Sequence, residues 1–198
     1  MEQLGSIIDS AWAELVCGVK NRRHGFHLPT LSTSGDGGGP DGRVVVLRRV
    51  IPSERLILCH TDRRSGKVGQ IAAQPEVLWV FYDFKRRLQL RVRATAQVLL
   101  EGPLFEEAWS RCTVDSRRCY LAPNPPGRPS DGPSANLPEA LLEGRPSQEE
   151  SEQGRSNFAL VHTLAWSIEW LHLAAGGHRR ARFVHRDPDG WTGEWLEP

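Results

Sequence analysis

The segment Arg43-Val-Val-Val-Leu-Arg48 opens the part of the chain that decides the fold, and Leu56-Ile-Leu-Cys-His-Thr61 and Leu88-Gln-Leu-Arg-Val92 continue it. Runs of β-branched and other apolar residues with turn residues between them are typical of β-strands. Pro52-Ser-Glu-Arg55 supplies the turn between the first two runs. From Leu88 to Leu100, apolar and polar residues alternate, so that apolar side chains share one face. The stretch therefore predicts short strands joined by turns.

The flanking sequence extends this pattern in both directions. The predicted strands are Phe26–Thr33, Val44–Ile51, Leu56–Thr61, Val77–Tyr82, Leu88–Leu100, Phe158–Leu171, Arg182–His185 and Trp191–Leu196. Hairpin turns are expected in the glycine-rich segment 35–42, at Gly176-Gly177 and at Asp187-Pro-Asp-Gly190. Many short strands with hairpin turns favour a mainly β, mostly antiparallel barrel, because barrel closure removes exposed strand edges.

Helical periodicity is restricted to a few segments. Residues 2–19 carry an apolar stripe, which we interpret as packing across one end of the barrel, with a lid or a dimer contact as the alternative. Shorter helices are predicted at Ser65–Ala73, where Ser65 is a candidate N-cap, at Pro103–Arg111 and at Val114–Tyr120. Residues 121–156 are rich in Pro, Gly, Ser and Glu and predict a loop insertion with one helical turn at Leu137–Leu142. We expect one domain over residues 1–198.

Composition limits the possible functions. The chain has 198 residues and a formal net charge of +1, so no strong overall field would attract nucleic acid or a membrane surface. We therefore expect neither nucleic acid nor a membrane as a partner. Because the N-terminus lacks the pattern of a signal peptide, we expect a cytoplasmic protein. The four cysteines lack CxxC spacing, so we predict no disulfide framework and no metal site, and Cys59 is expected in the core.

Cationic and hydroxyl side chains recur near the ends of the predicted strands. Arg43 and Arg48 flank an apolar run, while Thr61, Ser65 and Lys67 lie between a strand and a short helix. Charge-assisted donors near a helix N-terminus suit a phosphate dianion. Each element taken alone has a simpler interpretation: the arginines as edge-strand charges, Ser65-Gly-Lys67 as a turn, and Gln89 as a surface residue.

In order and spacing, these elements together resemble the FMN-binding core of the pyridoxine 5′-phosphate oxidase-like family. The resemblance implies an antiparallel Greek-key split barrel that works as a homodimer, with FMN at the dimer interface. It also implies that Arg43 and Lys67 bind the FMN phosphate, that Thr61 assists, and that Gln89 reaches the flavin ring from the partner subunit. The implied cofactor-binding set is Arg43, Val44, Val45, Val46, Leu47, Arg48, His60, Thr61, Ser65, Lys67, Gln89, Trp170 and Arg182.

The chain departs from the family pattern at several positions. Gly66 stands where the family usually has arginine, and Arg48 stands where true oxidases use a lysine for the substrate. Arginine and lysine differ in geometry, so the substrate is left open. Arg48 and Arg180 are the candidate substrate-binding residues. The basic cluster of residues 178–182 is either a site for a phosphorylated substrate or a solvated charge run on a hairpin.

The resemblance implies an FMN-dependent oxidoreductase that passes hydride between a small-molecule substrate and the flavin. The sequence does not assign a catalytic residue. Two alternatives remain open. The first is a flavin-binding protein without turnover. The second is a related split barrel with another ligand, such as a deazaflavin or haem.

Overall fold

The computed structural model describes residues 3–198, in which nine strands form one sheet. The strands are β1 Thr30–Ser34, β2 Pro40–Val44, β3 Leu47–Ile51, β4 Leu56–Asp62, β5 Glu76–Asp83, β6 Leu88–Leu99, β7 Phe158–His172, β8 Arg179–Arg186 and β9 Gly190–Leu196. The α-helices are α1 Leu4–Lys20, α2 Gly66–Ala73, α3 Pro103–Arg111, α4 Val114–Arg117 and α5 Gln148–Glu152. Short 3₁₀ turns occur at Gly25–His27, Pro52–Glu54, Arg118–Leu121, Glu139–Leu141 and Gln153–Asn157.

The sheet runs in the order β2-β1-β5-β6-β7-β4-β3, and β8 joins β7 to β9. Antiparallel registers include Trp79 opposite Val92 and Phe81 opposite Leu90 on β5 and β6. These four side chains are fully buried, as expected where one face of an alternating strand lies in the core. The mainly β, antiparallel architecture predicted from the sequence is confirmed.

The contacts of the chain group into two compact units. Unit 1 contains the residues up to Cys59, Gln70–Gln97 and His162–Pro198, and unit 2 contains His60–Gly69 and Val98–Val161. Unit 1 buries α1 and the β5–β6 face, with Trp79 hydrogen-bonded from its indole nitrogen to the Thr163 hydroxyl at 3.1 Å. Unit 2 has its own aromatic core around Phe158. The assignment of residues 1–198 to one domain stays a prediction.

One predicted strand is in fact two. Val44–Ile51 was predicted as a continuous strand, which is wrong, because β2 ends at Val44 and β3 begins at Leu47. Arg43 pairs with Leu31 on β1, whereas Leu47 pairs with Cys59 on β4, and a register shift follows between Leu47 and Arg49. The chain changes partner strand across Val45 and Val46, which requires a break that a run of β-branched residues does not reveal.

Other differences lie at element ends. The segment Phe26–Thr33 begins as a 3₁₀ turn, because the backbone N–H of Phe26 donates to His24 Nδ1 and the strand starts only at Thr30. Helix α1 runs from Leu4 to Lys20, and residue 2 of the predicted helix lies outside the described residues. In segment 121–156 the turn at Glu139–Leu141 was predicted, whereas α5 was not. A capping box between Ser147 and Glu150 starts α5 and is visible in the sequence as S-x-x-E.

Candidate functional site

Three of the predicted residues converge in unit 2 between β4 and α2. Lys67 Nζ donates to Thr61 Oγ1 at 2.9 Å and to Ser65 Oγ at 3.0 Å, and the two hydroxyl oxygens are 3.1 Å apart. Thr61 and Ser65 are buried, with 6% and 7% exposure. We call these three residues the hydroxyl–ammonium cluster. It places one cation and two hydroxyl groups around one point, which is a donor set suited to an anion.

The turn that positions the hydroxyl–ammonium cluster is held by Asp62 and Arg64. The backbone N–H of Arg64 donates to Asp62 Oδ1 at 2.8 Å, and its Nη2 donates to Oδ2 at 2.7 Å. The backbone N–H of Ser65 donates to the Asp62 carbonyl at 3.1 Å. The side-chain hydrogen bond to Asp62 raises the pKa of Arg64 above its ordinary value. Since both side chains are engaged locally, the turn is fixed at the place where α2 begins.

Arg43 lies in unit 1 within a polar network of its own. Its Nη1 donates to Thr33 Oγ1 at 2.7 Å, and its Nη2 is 3.1 Å from Gln70 Oε1 and 2.6 Å from Asp41 Oδ2. Gln70 Nε2 donates in turn to Asp41 Oδ2 at 2.9 Å. This guanidinium therefore fastens the β1–β2 hairpin to Gln70 of α2. Its predicted role in binding phosphate stays a prediction.

The remaining residues of the run 43–48 differ in exposure. Leu47 is 1% exposed and belongs to the core, whereas Val44 is 63% exposed. Val45 and Val46 are half-buried between β2 and β3, and the backbone N–H of Val45 donates to the Pro29 carbonyl at 2.9 Å. Arg48 is exposed and sits at the register shift of β3.

His60, the last predicted residue in unit 2, has an aromatic and a sulfur neighbour. Its ring meets Phe158 edge to face, with centroids 4.9 Å apart. Its Nδ1 lies 3.6 Å from Cys112 Sγ. Cys112 was not predicted as a neighbour of His60, because 52 residues separate the two and no spacing rule connects them.

The predicted residues on β6, β7 and β8 lie in unit 1. Gln89 is half-buried and pairs with Tyr82, and Trp170 is 6% exposed, with the Arg179 guanidinium 5.6 Å from its ring centroid. Arg182 is exposed and donates from Nη2 to Glu194 Oε1 at 2.6 Å. That hydrogen bond raises the pKa of the Arg182 guanidinium above its ordinary value.

Arg180 is part of an ion-pair group that was not predicted from the sequence. Its Nε donates to Glu169 Oε2 at 3.1 Å, while Arg91 Nη1 donates to Glu169 Oε1 at 2.8 Å. Glu169 thus lies between two arginines contributed by β6 and β8. The pairing of Glu169 with Arg182 across β7 and β8 could not be deduced without the strand register.

The described residues lack two further features. Within residues 3–198, no group of three or more His, Cys, Asp or Glu side chains is arranged to hold a metal ion. None of the helices seen there has the length and apolar character needed to cross a membrane.

A family model and a curated relative both resemble this chain. Residues 9–100 match the family described as pyridoxamine 5′-phosphate oxidase, FMN-binding domain. A pyridoxine/pyridoxamine 5′-phosphate oxidase of Burkholderia ambifaria is 28% identical over 145 residues, covering 60% of this chain and 67% of that protein.

Similar solved structures extend over nearly the whole chain. A pyridoxamine 5′-phosphate oxidase-related, FMN-binding protein of Nostoc punctiforme matches with a TM-score of 0.73 and 20% identity, covering 96% of each chain. PhzG of Burkholderia lata, solved in complex with tetrahydrophenazine-1-carboxylic acid, matches with a TM-score of 0.70 and 16% identity, covering 97% of this chain and 92% of that one. At these identities the similarity shows the split-barrel fold.

Proposed function

Because the chain belongs to the pyridoxamine 5′-phosphate oxidase-like family of FMN-binding split-barrel proteins, we propose that it is an FMN-dependent oxidoreductase acting on a small molecule. The observation that carries the proposal is the hydroxyl–ammonium cluster of Thr61, Ser65 and Lys67. When bound, FMN would supply a ring that accepts a hydride. We place this work in the cytoplasm, which agrees with four cysteines outside any disulfide.

The donor chemistry of the hydroxyl–ammonium cluster fits a phosphate dianion. Lys67 would contribute positive charge, and the Thr61 and Ser65 hydroxyls can turn their protons from each other toward phosphate oxygens. Both hydroxyls are already buried, so a phosphate there would form hydrogen bonds in a medium of reduced dielectric constant. The beginning of α2 adds partial positive charge from its backbone N–H groups. Gly66 contributes no side chain, so the cluster depends on Lys67 for its full charge.

Arg43 is the proposed second cation. Its guanidinium now pairs with Asp41 at 2.6 Å, so binding a phosphate would require sharing or exchanging that carboxylate. We therefore expect Arg43→Ala to weaken flavin binding less than Lys67→Ala. Replacing Arg43 also removes hydrogen bonds to Thr33 and Gln70, so its folding is to be checked separately.

The first experiment measures retained flavin in Lys67→Ala, with Lys85→Ala as the matched control. Lys85 is an exposed lysine in the β5–β6 turn. We expect the purified native protein and Lys85→Ala to keep FMN absorption through gel filtration. Loss of a charge-assisted contact of about 1.5–3 kcal/mol should weaken FMN binding by Lys67→Ala roughly 10- to 100-fold. Full FMN occupancy in both Lys67→Ala and Arg43→Ala would show that the phosphate assignment is wrong.

A comparison of FMN with riboflavin separates phosphate binding from ring binding. Riboflavin shares the ring and lacks the phosphate, so the ratio of the two dissociation constants reports on the phosphate alone. Lys67→Ala should lower the preference for FMN while leaving riboflavin affinity unchanged. An equal loss for both ligands would instead indicate damage to the ring site or to the fold.

A non-catalytic flavin-binding protein is the second candidate. It is favoured by two ion pairs. Glu169 neutralises Arg180, the candidate substrate-binding residue, and Glu194 neutralises Arg182, a candidate cofactor-binding residue. Oxygen consumption with pyridoxamine and pyridoxine phosphates would distinguish the candidates, and a wider substrate screen would follow. If FMN is not retained at all, titration with a deazaflavin and with haem becomes the next test.

A further inference from the structure

Cys112 and His60 form a thiol–imidazole pair inside unit 2. The Cys112 Sγ lies 3.6 Å from His60 Nδ1, within reach of a sulfur hydrogen bond. Cys112 is the C-cap of α3, and its backbone N–H donates to the Trp109 carbonyl at 3.0 Å, which fixes the origin of the side chain. Both residues are half-buried, whereas Cys59 is completely buried.

The imidazole of this pair is held by an aromatic cluster. The His60 ring contacts Phe158 edge to face at 4.9 Å, and Phe158 is itself packed by Phe105, Trp109 and Tyr120 at centroid distances of 5.2, 5.1 and 5.0 Å. A ring restrained in this way keeps one nitrogen directed at the thiol. Restraint of the base is what distinguishes an activated nucleophile from a chance contact.

We propose that Cys112 is a reactive thiol, activated by His60, and that hydroperoxides are its oxidants. His60 Nδ1 accepts the thiol proton, and the sulfur attacks one oxygen of the hydroperoxide. The S–O bond forms as the O–O bond breaks, and the departing alkoxide or hydroxide takes the proton back from the imidazolium. The sulfur is oxidised by two electrons to a sulfenic acid, and the peroxide is reduced to an alcohol or water.

The other cysteines of the chain provide internal references. Cys17 is exposed on α1, and Cys59 is completely buried. Cys119 is exposed, and its thiol donates to the Ser116 carbonyl at 3.2 Å. If exposure alone decided reactivity, Cys17 and Cys119 would react before Cys112. Cys112 reacts first only if the imidazole activates it.

The position of Cys112 makes His60 necessary for its reactivity. A helix C-terminus carries partial negative charge and disfavours a thiolate. Without His60, Cys112 should therefore be less reactive than an ordinary exposed thiol. The proposed chemistry requires only these two side chains, and of the two only His60 belongs to the cofactor-binding set that the family resemblance implies.

Labelling with iodoacetamide, resolved by peptide mass spectrometry, tests the ranking. In the native protein at neutral pH, Cys112 should be alkylated about 10-fold faster than Cys17. In His60→Gln, which keeps a polar side chain of similar size that cannot take the proton, Cys112 should fall below Cys17. Faster reaction of Cys17 in the native protein, or an unchanged Cys112 rate in His60→Gln, would overturn the proposal.

Oxidation by hydrogen peroxide, with a dimedone-type trap for sulfenic acid, tests the chemistry. We expect trapped product at Cys112 in the native protein, and its loss in both Cys112→Ser and His60→Gln. FMN retention and tryptophan fluorescence of Cys112→Ser should match the native protein, which checks that the fold is intact. Trapping at Cys17 or Cys119 alone would contradict the assignment, whether or not the protein binds flavin.

Discussion

His162 is a half-buried histidine on β7 whose titration should affect stability. Burial lowers the pKa of its imidazole below the ordinary value of 6.5, although a backbone hydrogen bond and the charge of Glu54 act in the opposite direction. The unfolded chain therefore binds the proton more readily than the folded chain does. The contribution of neutral His162 to the free energy of unfolding is fully present above the pKa of the unfolded state. It is lost as the pH falls from that value toward the lower pKa of the folded state.

The test compares native protein with His162→Gln in urea unfolding at about pH 8 and about pH 5. Other titrating groups are common to both proteins, so the difference between their pH dependences isolates His162. We expect His162→Gln to lose less stability on acidification than the native protein does. Equal losses would show that His162 carries no linked proton.

At the residue scale, what the sequence could predict depended on distance along the chain. Thr61, Ser65 and Lys67 lie on one strand end and the helix start that follows it, so local structure alone brings them together. The partner of Cys112 could not be found that way, since 52 residues separate it from His60. Likewise, the position of the Arg43–Asp41 ion pair depends on the β1–β2 register. The glycine-rich loop between these strands does not determine that register.

Among the structural elements, the helices around the insertion of residues 121–156 are held together by Arg117. It is 4% exposed, donates from Nη2 to the Trp109 carbonyl at 2.9 Å, and forms an ion pair with Glu152 of α5. Its guanidinium carbon also lies 4.4 Å from the Trp109 ring centroid. The residue thereby joins α3, α4 and α5 within unit 2.

Replacing Arg117 should loosen these helices. Arg117→Ala removes the ion pair with Glu152 and one of two hydrogen bonds to the Trp109 carbonyl, so we expect a loss of about 1–3 kcal/mol in the free energy of unfolding. Protease sensitivity within residues 121–156 should rise with it. Arg128→Ala is the matched control, because Arg128 is exposed and its side chain donates to Asn124 Oδ1, within the same loop. Equal stability of the two variants would contradict the anchoring role.

Elements were predicted well where one apolar run spans the whole element and poorly where one run is divided between two strands. Strands β4 to β7 follow apolar runs, and their ends differ from the predicted ends by only a residue or two. The break after Val44 depends on which neighbour each half pairs with, and that neighbour lies elsewhere in the chain. Helix α5 was missed for a different reason, since its capping box stands in a polar segment with no apolar stripe.

For the whole molecule, we expect two copies of the chain to assemble as a homodimer. Leu28, Val44, Tyr82 and Phe84 are large apolar side chains with exposures of 56%, 63%, 43% and 81%. Gln89, which the family resemblance assigns to the partner's flavin, pairs with Tyr82 in the strand register. Light scattering should give twice the mass of the 22.2 kDa chain. A strict monomer that still binds FMN would refute the role of Gln89 across an interface.

The unit boundaries have a consequence for genetic dissection of the protein. They fall at Cys59–His60, Gly69–Gln70, Gln97–Val98 and Val161–His162, inside β4, α2, β6 and β7. A gene fragment for residues 98–161 would cut two strands and omit residues 60–69. We therefore do not expect either unit to fold when it is expressed as a separate fragment. Permuted or tagged versions are better opened at the tip of the β1–β2 hairpin, where a side chain on Gly39 would meet open space.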